Sequence, residues 1–272
     1  MATALAEKGK IPMISSEAIA YSRHYPAVVE TLKRLATTFT VRDIMTPCTH
    51  LVCAPDEQRA PLVSANNPDF DVIPIKAGEV ITGYFERAVG APQHLRLEDV
   101  VSDGTNLLDF VDICASRQFS FVLGEQEIKG YAHFSDLNHH LVKLTFYVML
   151  EALERNTLEL ISRFDEKEYI RKNLPDRFVQ IQAQYERAGR AARRLISYLN
   201  ISDILRLAAL AGKITIDDDV AKKIKDVRDG ASHATDNLVS SYAGVQSLAR
   251  VKSECLRILG SLHQDHASVA GA

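Results

Sequence analysis

Between Val41 and about Asp136 the apolar residues come in short runs bounded by Gly, Pro, Asn and Asp. Runs such as Asp71-Val-Ile-Pro-Ile75, Glu79-Val-Ile-Thr-Gly-Tyr-Phe85, Phe119-Ser-Phe-Val-Leu123 and Glu127-Ile-Lys-Gly-Tyr131 predict short strands alternating with short helices. From Asn138 onward the spacing changes. Leu141, Leu144, Val148, Leu150 to Leu153, Leu158 and Ile161 recur at helical intervals, and about four such helical patterns fill residues 141–263. The prolines divide the chain in the same way, eight of nine lying at or before Pro92 and only Pro175 in the second half. The expected fold class is α+β in two domains: a helical lead over 1–39 (about Ser15 to Phe39), a mixed unit over 40–140 and an all-helical unit over 141–272.

The mixed unit repeats itself. Ile73-Pro-Ile-Lys-Ala-Gly-Glu-Val-Ile-Thr-Gly-Tyr84 resembles Phe121-Val-Leu-Gly-Glu-Gln-Glu-Ile-Lys-Gly-Tyr131, and Val41-Arg-Asp-Ile-Met45 has a weaker echo in Leu97-Glu-Asp-Val-Val101. Two strand-helix-strand-strand-helix units would each leave one apolar sheet face uncovered, so they are expected to pack together around a shared cleft.

Composition narrows the classes. With 272 residues, 46% apolar and 25% charged, the chain has the makings of a folded core rather than a disordered one. A net charge of -3 argues against coating nucleic acid by bulk charge, so any such site must be local. Four cysteines without a CxxC pair suit a reduced cytoplasm, and no apolar run is long enough for a membrane span. The expectation is a soluble cytoplasmic protein.

The segment Thr40-Val-Arg-Asp-Ile-Met-Thr-Pro47, the strand-turn-strand that follows, and Gly130-Tyr-Ala-His-Phe-Ser-Asp-Leu137 resemble a tandem pair of cystathionine-β-synthase (CBS) domains over about 40–140. That resemblance implies an adenine nucleotide of the AMP, ADP or ATP class as regulatory ligand, with Thr46, His133, Ser135 and Asp136 as binding residues and the Asp136 carboxylate on the ribose hydroxyls. The second copy keeps Gly130 and Asp136 but has His133 at the family's hydroxyl position. The first keeps only Gly83, with Glu86 and Val89 at the other two positions, so one nucleotide site is implied, not two. Independently of the family, a short carboxylate opening a helix can take both ribose hydroxyls while backbone donors meet phosphate. The competing reading makes Asp136 a plain helix cap, with Ser135 as its rival for that role.

In the helical half, Arg228-Asp-Gly-Ala-Ser-His233 resembles the motif of the HEPN superfamily, helical domains of which many are metal-independent endoribonucleases. The resemblance implies Arg228, Asp229 and His233 as catalytic residues, often composed across a homodimer. Gly230 is expected to end one helix at Arg228 and let His233 open the next, Ala234 to Leu262, because on one continuous helix the two side chains would lie about 140° apart. At a helix N-terminus His233 would be held neutral as a base, with Arg228 on the phosphate oxygens. The plain alternative is an Arg and a His placed by chance at two helix ends.

Arg187, Arg190, Arg193 and Arg194 are spaced to form one basic helical stripe, and Lys222, Lys223 and Lys225 add charge before the motif, which would suit RNA phosphates. A solvated face balanced by Glu is the ordinary reading of such a stripe. His139-His140 and Asp217-Asp-Asp219 do not read as metal ligands; the acidic run reads as a helix start. The functions that follow are a nucleotide-regulated, metal-independent endoribonuclease acting as a homodimer, or a non-catalytic adenine-nucleotide sensor whose helical half serves dimerisation or docking. Any antitoxin-like protein partner is left open.

Overall fold

The computed structural model describes residues 38–161, 166–188 and 194–270, together with Arg34. The expected lead from Ser15 to Phe39 lies outside the described residues except at Arg34, Thr38 and Phe39.

The alternating apolar runs form strands where the pattern puts them. The first repeat comprises β1 (Thr46–Pro47), α1 (Ala60–Asn66), β2 (Val72–Ala77), β3 (Val80–Glu86) and β4 (Ala91–His94). The second comprises β5 (Val100–Ser102), α2 (Leu107–Ser116), β6 (Phe119–Gly124) and β7 (Glu127–His133), closed by a 3-10 turn at Phe134–Asn138. One sheet has the order β2-β3-β4 and the other β1-β7-β6-β5. Within each repeat the central pair is antiparallel, and β5 runs parallel to β6 as Ala54 bridges parallel to Ile75.

Leading segments are exchanged between the sheets. β1, the leading strand of the first repeat, pairs with β7 of the second, while β4, which leads into the second repeat, pairs with β3 of the first. Both junctions need glycine at the contact. A Cβ on Gly130 would lie 2.6 Å from the Thr46 carbonyl oxygen, and one on Gly83 would lie 2.5 Å from that of Gln93. This explains the Gly-Tyr pairs seen in the sequence: the glycine admits a neighbouring backbone that any side chain would push away.

Two expectations about the repeats are corrected. No helix closes the first one, because Gly90 at φ 73° and Pro92 interrupt helical continuation and the chain forms β4 instead. Nor is the upstream echo a structural equivalence. The Val41–Asp43 turn docks on the second repeat, Val41 N donating to Thr105 O at 2.8 Å, whereas Leu97–Asp99 links β4 to β5. The two segments share only a turn device, in which Asp43 Oδ2 accepts from Thr40 N at 2.8 Å and Asp99 Oδ2 from Arg96 N at 2.9 Å.

The helical half consists of α3 (His140–Ile161), α4 (Glu166–Asn173), α5 (Pro175–Ala188), α6 (Ile201–Leu210), α7 (Asp218–Ser232) and α8 (Tyr242–Ala270). Asp217 caps α7 by accepting from the Asp219 and Val220 amides, the helix-start role its sequence suggests. The main core runs without interruption from Val101, Phe110, Val122 and Leu137 of the second repeat into Phe146, Leu150, Ile204, Ile224 and Val251 of the bundle. The first repeat has a small core of its own, Ala54, Ala60, Ile73, Ile75 and Phe85. No described helix is long and apolar enough to cross a membrane.

Candidate functional site

Where the two sheets face each other, aromatic rings fill the space. Tyr84 of β3 meets Phe119 and Phe121 of β6 at ring distances of 5.3 and 5.6 Å, and Phe121 meets Tyr131 of β7 at 5.7 Å. The row continues through Tyr131, stacked on His133 at 6.4 Å, to Phe134 and then Tyr242 of α8. Strand alternation produces this row, since Phe119, Phe121, Tyr131 and His133 project from one face of the β6–β7 pair while Val122 and Ala132 enter the main core on the other.

The expected nucleotide residues gather at the end of β7. Thr46 pairs directly with Tyr131, next to the Gly130 junction. Asp136 is the third residue of the 3-10 turn that follows, and its Oδ2 accepts from the His133 backbone amide at 2.8 Å. Ser135 Oγ lies 2.8 Å from His133 Nδ1. Neither Asp136 nor Ser135 is the N-cap: His133 holds that position, its ring accepting from the Ser135 amide, and the Asp136 carboxylate reaches back to the His133 amide. Among the described residues Asp136 Oδ1 has no hydrogen-bond partner, so one carboxylate oxygen remains for a ligand.

Burial sets the charge state here. It pushes the Asp136 carboxyl up to about 6 against the stabilising His133 amide, and it pulls His133 down from 6.5 against the nearby Asp71 carboxylate. Desolvation, reinforced by Asp136, Asp71 and Glu86, raises the Tyr131 hydroxyl. The field at this end of the cleft is negative.

The helical motif is arranged differently from the expectation. Gly230 does not break α7, which continues to Ser232; His233 is its C-terminal cap residue and the next helix begins at Tyr242, not Ala234. The segment Asn237–Leu238 lies over Gly230, close enough for ordinary contact with an added Cβ, so packing holds the glycine in the helix against its propensity. His233 thus sits at a negative helix end, and the basis for a neutral imidazole at a positive one is gone. Arg228 Nε lies 3.3 Å from Glu154 Oε2 of α3, a carboxyl that burial raises and Arg228 lowers. Asp229 accepts from Lys225 Nζ at 2.6 Å. His233 is exposed, and no bond joins it to Arg228 among the described residues.

The basic stripe is not one helix face. Arg187 lies in the last turn of α5 with its Nε on Ala183 O at 3.0 Å, whereas Arg194 precedes the 3-10 turn Leu195–Tyr198 in an extended conformation. Arg190 and Arg193 lie outside the described residues. Lys222 lines a groove with Arg206 and Asp218, and Lys225 is the partner of Asp229. Among the described residues no group of three His, Cys, Asp or Glu side chains could hold a metal ion.

Several side chains that matter to this arrangement escaped the sequence reading. Lys252 of α8 is 4% exposed and donates to Leu108 O at 3.2 Å and to the Asp112 carboxylate, both on α2. Lys143, 6% exposed, donates to Ala234 O at 2.8 Å. Each stands at the helical spacing of core residues, Lys252 with Leu248 and Cys255, and a lysine at such a position was the available signal. Asn138, whose amide holds Val239 across 101 residues, left no such trace.

No protein-family model matches the chain, and no curated protein matches it. Among solved structures it is similar to the CBS domain of the bacterial CNNM/CorC family Mg2+ transporter in complex with ATP, at 14% identity and TM-score 0.32, covering 45% of this chain and 97% of that one. It is likewise similar to the CBS domain of the same family in a second structure, at 14% identity and TM-score 0.33, covering 48% of this chain and 97% of that one.

Proposed function

We propose that this chain is an adenine-nucleotide-responsive regulatory protein: a CBS-type repeat pair with one ligand site in the second repeat, fused to a helical bundle for dimerisation or partner docking. One observation carries this reading. The only carboxylate placed as the family motif requires, Asp136, is anchored through one oxygen by the chain's own amide and keeps the other unengaged. Such a group is oriented in advance for ribose hydroxyls. Asp71 and Glu86 make the surroundings acidic, which favours the hydroxyl-bearing nucleoside end of the ligand here and directs phosphates away. The first repeat offers no equivalent, since the position matching Asp136 is Val89 in the turn before β4.

The RNA-cleaving reading gains nothing from the geometry. Arg228 of α7 faces Glu154 of α3, a contact between two bundle helices, Asp229 faces Lys225 one turn back on α7, and His233 leaves the helix without touching either. The proposed homodimer would then rest on helical surfaces rather than on a composite catalytic pair.

Titration calorimetry with adenosine, AMP, ADP and ATP tests the sensor. Binding of at least one is expected, weakened roughly tenfold or more by Asp136→Ala, the cost of one hydrogen bond to a charged group. Absence of binding by all four would remove the reading. RNA cleavage in EDTA that His233→Ala abolishes would restore the nuclease.

A further inference from the structure

The 3-10 turn that contains Asp136, Phe134–Asn138, ends at a clamp on a distant part of the chain. Asn138 Nδ2 donates to Val239 O at 2.8 Å, and Val239 N donates to Asn138 Oδ1 at 3.0 Å. One side-chain amide thus satisfies both backbone groups of a residue that is itself 3% exposed. Four residues past the turn's cap residue His139, in the first turn of α3, Lys143 Nζ holds Ala234 O at 2.8 Å and His233 O at 3.4 Å. At the other end of the turn the Phe134 ring meets Tyr242 at 6.1 Å, and Tyr242 donates its hydroxyl to Ala115 O at the end of α2.

Phe134, Asn138 and Lys143 therefore hold the whole connection from α7 to α8. Between the fixed points, Ser232 to Asn237 are exposed. Phe134 and Asn138 flank Asp136 within one short 3-10 turn, an element with few internal hydrogen bonds to resist a change of pitch, and Lys143 follows in the first turn of α3.

We propose that this turn is a lever: occupation of the Asp136 carboxylate repositions Asn138 and thereby changes the order and exposure of the segment from His233 to Ser241. The proposal rests on the sensor reading for the identity of the ligand, but not for the mechanical link itself. Ligand coupling requires that the two arrangements bind the ligand unequally, and the link is then reciprocal, so loosening the clamp must alter ligand affinity as well.

Amide hydrogen exchange on the full chain tests the lever, read at Val239 and across 233–241 with α5 as reference. In the absence of ligand, Asp136→Ala should speed exchange across the segment by roughly five- to tenfold, the factor for losing one cap, and leave α5 unchanged. Saturating ATP or AMP, whichever calorimetry shows to bind, should slow exchange at the same amides. In Asn138→Ala both effects should vanish while calorimetric binding persists with altered affinity; Asn138→Asp, which keeps the acceptor for Val239 N, serves if the alanine variant does not fold. Unchanged exchange at 233–241 in Asp136→Ala would overturn the lever, as would a nucleotide that binds without affecting those amides, and the latter would leave the sensor reading intact. An Asp136→Ala effect in a protein that binds no nucleotide would leave the lever standing and remove the sensor.

Discussion

The two repeats use one plan and are stabilised in different ways. In the first, α1 buries Ala60 and Ser64 but leaves Leu62 64% exposed, and its C-terminal carbonyls are satisfied from within the repeat, by the Arg87 guanidinium on Ser64, Asn67 and Phe70. In the second, α2 buries Leu107, Leu108, Phe110, Val111 and Cys114, and its carbonyls at Leu108 and Ala115 receive donors from α8, Lys252 and Tyr242. The first repeat is packed against the second but has no share in the bundle's core. The second is structurally part of the bundle, and it is the one with the motif carboxylate. Under the proposed function, the candidate site shares a core with the bundle, and a packed core transmits displacement rather than absorbing it.

The comparison predicts a graded set of effects. The largest separates the two helices: Phe110→Ala should cost about 3–5 kcal/mol in urea unfolding and Leu62→Ala less than about 0.5 kcal/mol. Equal losses would mean that the repeats are covered alike. Next come the helix-end donors. Lys252→Ala leaves a carbonyl and a carboxylate without their buried partner and should cost about 2–4 kcal/mol, affecting both halves in one transition. Arg87→Ala should cost about 1–3 kcal/mol, with faster exchange confined to α1.

A third effect is a pH dependence, below neutral pH, that comes from the turn after β7 in the second repeat. Folding raises the Asp136 carboxyl from 3.8 to about 6, so the native state keeps that proton longer and this group makes stability fall as pH rises from about 4 to about 6. Folding lowers His133 from 6.5, so the unfolded chain protonates first and this group makes stability fall as pH drops below about 6.5. The two oppose each other. Asp136→Asn retains an oxygen for the His133 amide and leaves only the histidine, so thermal midpoints should climb more steeply between pH 4.5 and 6.5 than in the natural sequence. A parallel curve would show that Asp136 is not buried as described.

The smallest effect lies in the hairpins. The first turns at Gly78, φ 66°, while the second places Glu125 and Gln126 at φ 53° and 81°, in the left-handed region that costs most residues energy. Gln126→Gly should stabilise by up to about 1 kcal/mol, and a loss of stability would mean that the side chain, not the turn, decides there.

Much of the local structure was legible beforehand. The four strand runs, the change to helical spacing after Asn138, the Asp217 cap and the cluster of Thr46, His133, Ser135 and Asp136 follow from period, turn chemistry and motif. The helical motif was not legible, because Gly230 has a propensity to break a helix but meets a segment, Asn237–Leu238, that packs over it. Propensity is worth about 1 kcal/mol, and tertiary contact can exceed it. Ion pairs behaved similarly. Arg228 was open to several partners, and Glu154, 74 positions earlier in the chain, became its neighbour only when α3 and α7 packed.

What the sequence determined by itself is the strand runs, the change to helical spacing after Asn138 and the single motif carboxylate after β7, since periodicity and turn chemistry act over a few residues. Tertiary structure alone decided that β1 joins the second sheet, that a bundle covers one repeat and leaves the other to itself, and that Asn138 grips Val239. Those outcomes depend on which apolar faces and unsatisfied backbone groups meet in space, and residues a hundred positions apart carry no local mark of their meeting.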